Sequence, residues 1–263
     1  MRLVAPGVSA DVDLVNGGRL RSLEIAGTEI LVTDTGDPLT WGCYPMAPWA
    51  GRTGNGRFSF AGREHLLERT LPPHAIHGTV WLRRWEQVDE ATIATDLGGG
   101  WPFAGSVRQR FRLTESSLRV DMMLDAVEAM PVVLGWHPWF RREIGAGTAS
   151  IDIDAAFVLE RGPDDLPTGR RVAPGSGPWD DCFGGVSRFP SIVWPGLRLT
   201  IGSTCAYYVV YTAHPDGVCI EPQTAPPNAL NGGADVLAAG ERRRVSMEWR
   251  WSKPAPGGVL GAP

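Results

Sequence analysis

Four cysteines in 263 residues, Cys43, Cys182, Cys205 and Cys219, form no C-x-x-C pair and have no histidine at finger-like spacing. That scarcity sets aside a disulfide framework and a structural zinc site, and the four read as reduced, buried thiols of a cytoplasmic protein. Nowhere do about 18 apolar residues run uninterrupted, and the first ten residues carry one arginine and no apolar stretch of signal-peptide length. Neither export nor membrane insertion is expected. Basic residues are not in excess either: 25 against 29 acidic ones leave a formal charge of -4. The footprint of a nucleic-acid or anionic-membrane partner is therefore missing, and a neutral ligand fits better. No fixed-period repeat suggests a propeller or solenoid.

What is present is enough to fold. The chain is 43% hydrophobic and 21% charged, which excludes wholesale disorder. Glycine and proline, 33 and 22 residues, interrupt almost every window long enough for an amphipathic helix, so helices should be short and rare. Period-two alternation is the main local signal. Val245, Met247, Trp249 and Trp251 alternate with Ser246, Glu248 and Arg250 as a half-buried strand. Phe111 to Met122 reads as two strands around a Thr114–Ser117 turn, and Phe58–Phe60 with the run through Leu66-Leu67 as a second hairpin. Leu197–Ile201 and Tyr207–Tyr211 add strands. The pattern predicts an all-β sandwich or barrel in one domain over residues 1–252, with a flexible tail at 253–263. Residues 161–185, rich in Pro, Gly and Asp, and residues 222–233, with three prolines and two glycines, read as loops. Most of the 11 tryptophans should be core, with a minority free to line a ligand site.

Four polar residues stand out by setting. His137 lies in Leu134-Gly135-Trp136-His137-Pro138-Trp139-Phe140, a polar group among aromatics whose following proline ends strand pairing. Glu221 closes the apolar run Gly217-Val218-Cys219-Ile220 and opens a stiff, proline-rich segment. His77 sits in Ala75-Ile76-His77-Gly78, and Arg52 among glycines in Ala50-Gly51-Arg52-Thr53-Gly54. Taken singly, each is more readily a structural residue than a functional one.

In chain order these pieces are an arginine before Gly-x-Phe, then His-Gly, Gly-x-His-Pro-x-Phe, Trp-Asp-Asp-Cys-Phe and Glu-x-Gln with a proline-containing loop. The order resembles the aldose 1-epimerase, or galactose mutarotase-like, family from about Gly17-Gly18 to Ala239-Gly240-Glu241. The resemblance implies a large antiparallel supersandwich with a sugar cleft on one sheet. It further implies no cofactor and no metal, and interconversion of the α and β anomers of a free aldose. Carried over by motif, His137 donates a proton to the ring oxygen and Glu221 takes one from the anomeric hydroxyl. Arg52, His77 and Gln223 bind the sugar, and Asp180 holds its hydroxyls, with Asp181 as the register alternative.

Such chemistry needs a protonated histidine and an ionised glutamate facing one another across a cleft about one sugar ring wide. A histidine of pKa ~6.5 then needs a carboxylate nearby. Two features depart from the family pattern. Gly51 stands where asparagine often precedes the arginine, and Pro227-Asn228-Ala229 replaces the common Pro-Asp-Ala, so both changes take a polar or charged group from beside the sugar. A hexose-6-phosphate epimerase, with Arg52, Arg57, Arg83 and Arg84 as phosphate ligands, is the second reading. A carbohydrate-binding domain without turnover is the third.

Overall fold

The computed structural model describes residues 1–253, so the expected tail lies, from residue 254 onward, outside the described residues. Strands dominate, and the helices among those residues are three 3-10 turns of three residues each: Gly54–Gly56, Val80–Leu82 and Ala229–Asn231. None is long and apolar enough to cross a membrane.

Strand pairing is antiparallel and builds two layers. The first runs from Thr92–Asp96 through Gly105–Leu113, Ser117–Ala126 and Arg242–Ser252 to Leu197–Ser203. The alternation read in the sequence is realised here: Ser117–Ala126 is buried at every second residue, and Val245, Met247, Trp249 and Trp251 point inward. The second layer runs from Tyr207–Tyr211 through Gly217–Gln223, Gly135–Pro138 and Cys43–Met46 to Arg19–Ile25 and Val8–Asp13. Two long strands, Ser150–Arg161 and Asp180–Trp194, belong to both. Asp180–Gly184 pairs with Tyr207–Tyr211 in the second layer, while Ser191–Trp194 pairs with Leu197–Thr200 in the first. Register shifts around Asp152–Ala155 mark the crossing, as bulges do where a strand changes sheets.

The core lies between the layers. Phe140 of the second layer meets Trp249 of the first edge to face at 4.9 Å, and Trp136 donates its indole N–H to Gln109 Oε1 at 2.9 Å. Every tryptophan but Trp179 is buried, as aromatics of this area are expected to be.

One segment read as a loop is only partly one. Within residues 161–185, Pro167–Val172 pairs with Ser150–Arg161, and residues 180–185 begin a 15-residue strand. Pro167–Val172 is exposed at its four inner positions, half-buried at its ends and shows no apolar alternation, so its pairing rests on backbone hydrogen bonds that composition does not reveal. Residues 222–233 are only partly a loop: Pro222 and Gln223 complete the strand Gly217–Gln223, and a 3-10 turn follows.

Candidate active site

The second layer carries a cavity of about 290 Å³ on the face turned from the core. Its floor is a single cross-strand row. Gly135 stands opposite Gln223 and Phe140 opposite Val218, which is one continuous register, so His137 lies opposite Glu221. Between those pairs the ladder is interrupted, because Pro138 and Pro222 have no N–H to give it. Tyr44 is opposite His137 on the other side, and Val209 opposite Glu221. Directly opposite residues share a face, and the alternation of the strand puts His137, Trp139, Glu221 and Gln223 on the cleft while Trp136, Phe140 and Ile220 face the core.

His137 Nε2 is 3.2 Å from Glu221 Oε1, and Gln223 Nε2 donates to Glu221 Oε2 at 3.2 Å. The acid and base candidates therefore stand side by side on neighbouring strands, not across the cleft as the sequence reading required. Both are nearly sealed, with 7% and 3% of their surface exposed. Burial pushes the imidazole down to about 3, assisted by the charges of Arg19 and Arg52. Burial, with the charge of Asp180, pushes the Glu221 carboxyl well above the usual carboxylate range, and Arg52 and Gln223 only partly oppose it. The carboxylate that the histidine needed is present at contact distance, yet desolvation favours the uncharged forms. The pair shares one proton, which in this geometry rests on Glu221.

The roof is a short ribbon, Arg52–Thr53 paired with Ala75–Ile76. His77 N–H donates to Gly51 O at 3.2 Å and Gly51 N–H to His77 Nδ1 at 3.3 Å. Burial drives the His77 imidazole well below its ordinary pKa, so with Nδ1 accepting, Nε2 keeps the ring's hydrogen. Gly78 follows because only glycine fits: φ is +80°, and a Cβ would sit 2.0 Å from Ala47 O. Gly51 is explained similarly, since a Cβ there would come within 3.0 Å of the Pro227 ring. Asn228 does not line the cavity. Its Oδ1 accepts from Gly54 N–H at 2.9 Å and from Asn231 Nδ2 at 2.8 Å, tying two loops together.

Asp180 stands opposite Tyr211 and lines the cavity, whereas Asp181, one residue on, has the opposite parity and does not. Asp180 Oδ2 lies 3.4 Å from Arg52 Nη2 and 2.6 Å from Arg161 Nη1, and Arg161 also reaches Asp165 at 3.2 Å. Arg161, Tyr44, Tyr211 and His214 were not singled out from sequence, because no local pattern marks them. Trp139 is the tryptophan that reaches the cavity wall. It stacks on His137 at 5.3 Å and 15°.

All five motif residues that the sequence reading brought together, His137, Glu221, Arg52, His77 and Asp180, line this one cavity together with Gln223. The family model for aldose 1-epimerase matches residues 6–181. The chain belongs to the aldose 1-epimerase family. Its likeness to the YphB protein of Escherichia coli K12 is 32% identity over 242 residues, covering 79% of this chain and 83% of that one. The fold matches a galactose mutarotase-like protein from Clostridium acetobutylicum with a TM-score of 0.86 at 18% identity, covering 96% and 95% of the two chains. It also matches a galactose 1-epimerase from Lactobacillus acidophilus NCFM with a TM-score of 0.79 at 15% identity, covering 95% and 92%. For an aldose 1-epimerase relative the cavity's position is apt, because it opens on a sheet face walled by indole, phenol and imidazole rings with a few convergent polar groups.

Proposed function

We propose that this protein is a mutarotase: it opens and recloses the ring of a free, neutral aldose, with His137 and Glu221 as acid and base and without a cofactor. The observation that carries this reading is the 3.2 Å contact between His137 Nε2 and Glu221 Oε1 on the floor of a sugar-sized cavity. A side-by-side pair suits two oxygens bonded to one carbon, which is how O1 and O5 of a hemiacetal are placed. The proton first passes from Glu221 to His137. As the C1–O5 bond breaks, its electron pair takes that proton from His137 Nε2, while Glu221 accepts the O1 proton and C1=O1 forms. The pair then again holds one proton, on Glu221, which is the distribution that burial favours. Rotation about C1–C2 and the reverse steps give the other anomer. Arg52, His77, Asp180 and Gln223 are assigned to holding the sugar hydroxyls. Positioned acid and base groups of this kind are each worth roughly 10² to 10⁴ in rate.

Local charge favours a neutral sugar over a sugar phosphate. Of the four arginines considered for phosphate, Arg57 pairs with Glu64 at 2.9 Å and Arg83 with Asp96 at 2.7 Å, and of the four only Arg52 lines the cavity. Arg52 and Arg161 there are matched by Asp180 and Asp165. Residues 1–252 are taken as one domain because one buried cluster extends from Val8 to Trp251. The four cysteines, free and buried, suit the cytoplasm.

The test is mutarotation of freshly dissolved α-D-glucose and α-D-galactose, followed by polarimetry or NMR, with the parent and with Glu221→Gln and His137→Asn. Acceleration lost in both variants is expected. Absence of acceleration with any common aldose sends the reading to sugar phosphates, and bound sugar without turnover of either class would make the protein a binding domain.

A further inference from the structure

The row that holds His137 and Glu221 continues one strand further. Leu20 stands opposite Cys43, so in that register Arg19 lies opposite Tyr44, which is itself opposite His137. Arg19 is fully buried, with 0% of its surface exposed. Its guanidinium donates to four carbonyls: Nε to Asn16 at 2.8 Å, Nη1 to Pro38 at 2.8 Å and to Trp41 at 3.1 Å, and Nη2 to Trp81 at 3.3 Å. It lies over the Trp41 ring at 4.1 Å and the Tyr44 ring at 5.0 Å. Among the described residues no carboxylate pairs with it. Its cross-strand neighbour Asp13 turns instead to the amides of Val15 and Asn16, at 2.9 and 3.1 Å.

A buried charge without a counter-ion is costly, and an apolar side chain of similar length would fill the same space. Carbonyls and ring faces solvate the cation but leave its net charge in place. The next group along the row is His137, whose ring stacks on Tyr44 at 4.8 Å and 27°.

We propose that Arg19 is a positioning residue of the proton-sharing pair: its fixed charge, one ring behind His137, repels a proton on the imidazole and readies it for transfer to the ring oxygen. This rests on the acid and base reading given above.

The other groups around His137 do not cancel that charge. Glu221 is the partner itself. Cys219 and Cys43 are buried thiols whose pKa is raised, so they stay neutral. His77, with its ring 4.9 Å away, is held neutral by burial. Arg52 is matched by Asp180, and Asp180 again by Arg161. Tyr44 is kept protonated by burial, and His214 lies beyond Trp139. Asp13 and Asp34 offset part of the Arg19 charge from a distance, but neither pairs with it, since Asp13 accepts from Val15 N–H and Asp34 from Gly36 N–H at 2.9 Å. Among the described residues Arg19 is left as a buried cation without an ion pair.

The pair titrates in two steps, from two protons to one and from one to none, and only the one-proton form turns over. A nearby cation lowers both steps, so its removal raises both. At a separation of about 10 Å and an effective dielectric of about 20, the shift is about one pH unit.

The experiment measures mutarotation rate against pH for the parent, for the neutral variants Arg19→Met and Arg19→Gln, and for the charge-keeping Arg19→Lys. Both limbs of the bell-shaped profile should move up by about one unit in the neutral variants and stay in place in Arg19→Lys. An NMR titration of the His137 imidazole in the same proteins should show the same upward shift without any turnover, so it stands even where the sugar reading fails. Limbs and titration that stay at the parent's position, with only the rate maximum or melting temperature lowered, would overturn the proposal and leave Arg19 as a clasp for four loops. Loss of the fold in both neutral variants, with Arg19→Lys folded, would overturn it in the same way.

Discussion

The two layers of this sandwich use their strands differently. In the first layer Ser117–Ala126 alternates buried and half-buried positions along its whole length, the pattern of a sheet with one face on the core and one toward water. In the second, Gly217–Gln223, Gly135–Pro138 and Cys43–Met46 are buried at every position. Their second face is covered as well, by the Arg52–Ile76 ribbon and the loops that close the cavity. Burial on that face is spent on His137, Glu221 and Gln223, groups that stability alone would place in water or replace with apolar residues. One layer is arranged for packing, the other tolerates desolvated polar groups for chemistry.

Substitutions should separate the layers cleanly. Glu221→Gln keeps the shape of a buried, protonated carboxyl but removes the group proposed as base, so mutarotation should fall by roughly 10² to 10⁴ with the thermal unfolding midpoint held. Trp249→Ala, in the first layer, should do the reverse. It empties a fully buried site against Phe140 and should cost about 3–5 kcal/mol in denaturant unfolding, while the rate per folded molecule is kept. A Glu221→Gln protein that unfolds, or a Trp249→Ala protein that is stable and inactive, would erase the distinction.

Acid sensitivity sharpens it further. The unfolded His137 imidazole takes its proton near 6.5, the folded one only near 3, so the unfolded state gains as pH falls through that window. Glu221, raised by burial, works in the other sense, its folded form losing ground as pH rises above 4.5. Between pH 6.5 and 3 the parent should lose on the order of 4 kcal/mol more stability than His137→Asn, read from urea midpoints at each pH. The smallest effect is expected at the cleft's edge. Arg161 is partly exposed and Asp180 keeps Arg52, so Arg161→Gln should raise the sugar KM by only about 5-fold, roughly 1 kcal/mol, with kcat little changed.

The same contrast explains what could be read from the chain. The strands of the first layer were legible because one dry face imposes period two: the Phe111–Met122 hairpin and the strand ending at Trp251 lie where the alternation puts them. Strands wet on both faces, such as Pro167–Val172, leave no such imprint. The motif residues that line the cavity were legible one by one. Their arrangement was not, since His137 and Glu221 meet through a pairing between distant segments, and Arg161 and Arg19 acquire their partners only across strands.

That pairing has a consequence for how such a chain can change length. His137 and Glu221 meet because the count from Gly135 to Phe140 equals the count from Val218 to Gln223. One residue gained or lost inside either stretch would turn one partner of the pair toward the core. The turns outside them, such as Thr114–Ser117 or Val127–Glu128, can lengthen without touching that count. Insertions that accumulate in descendants of this sequence should therefore be confined to the turns, and the two six-residue stretches should keep their length even where every neutral position within them has drifted.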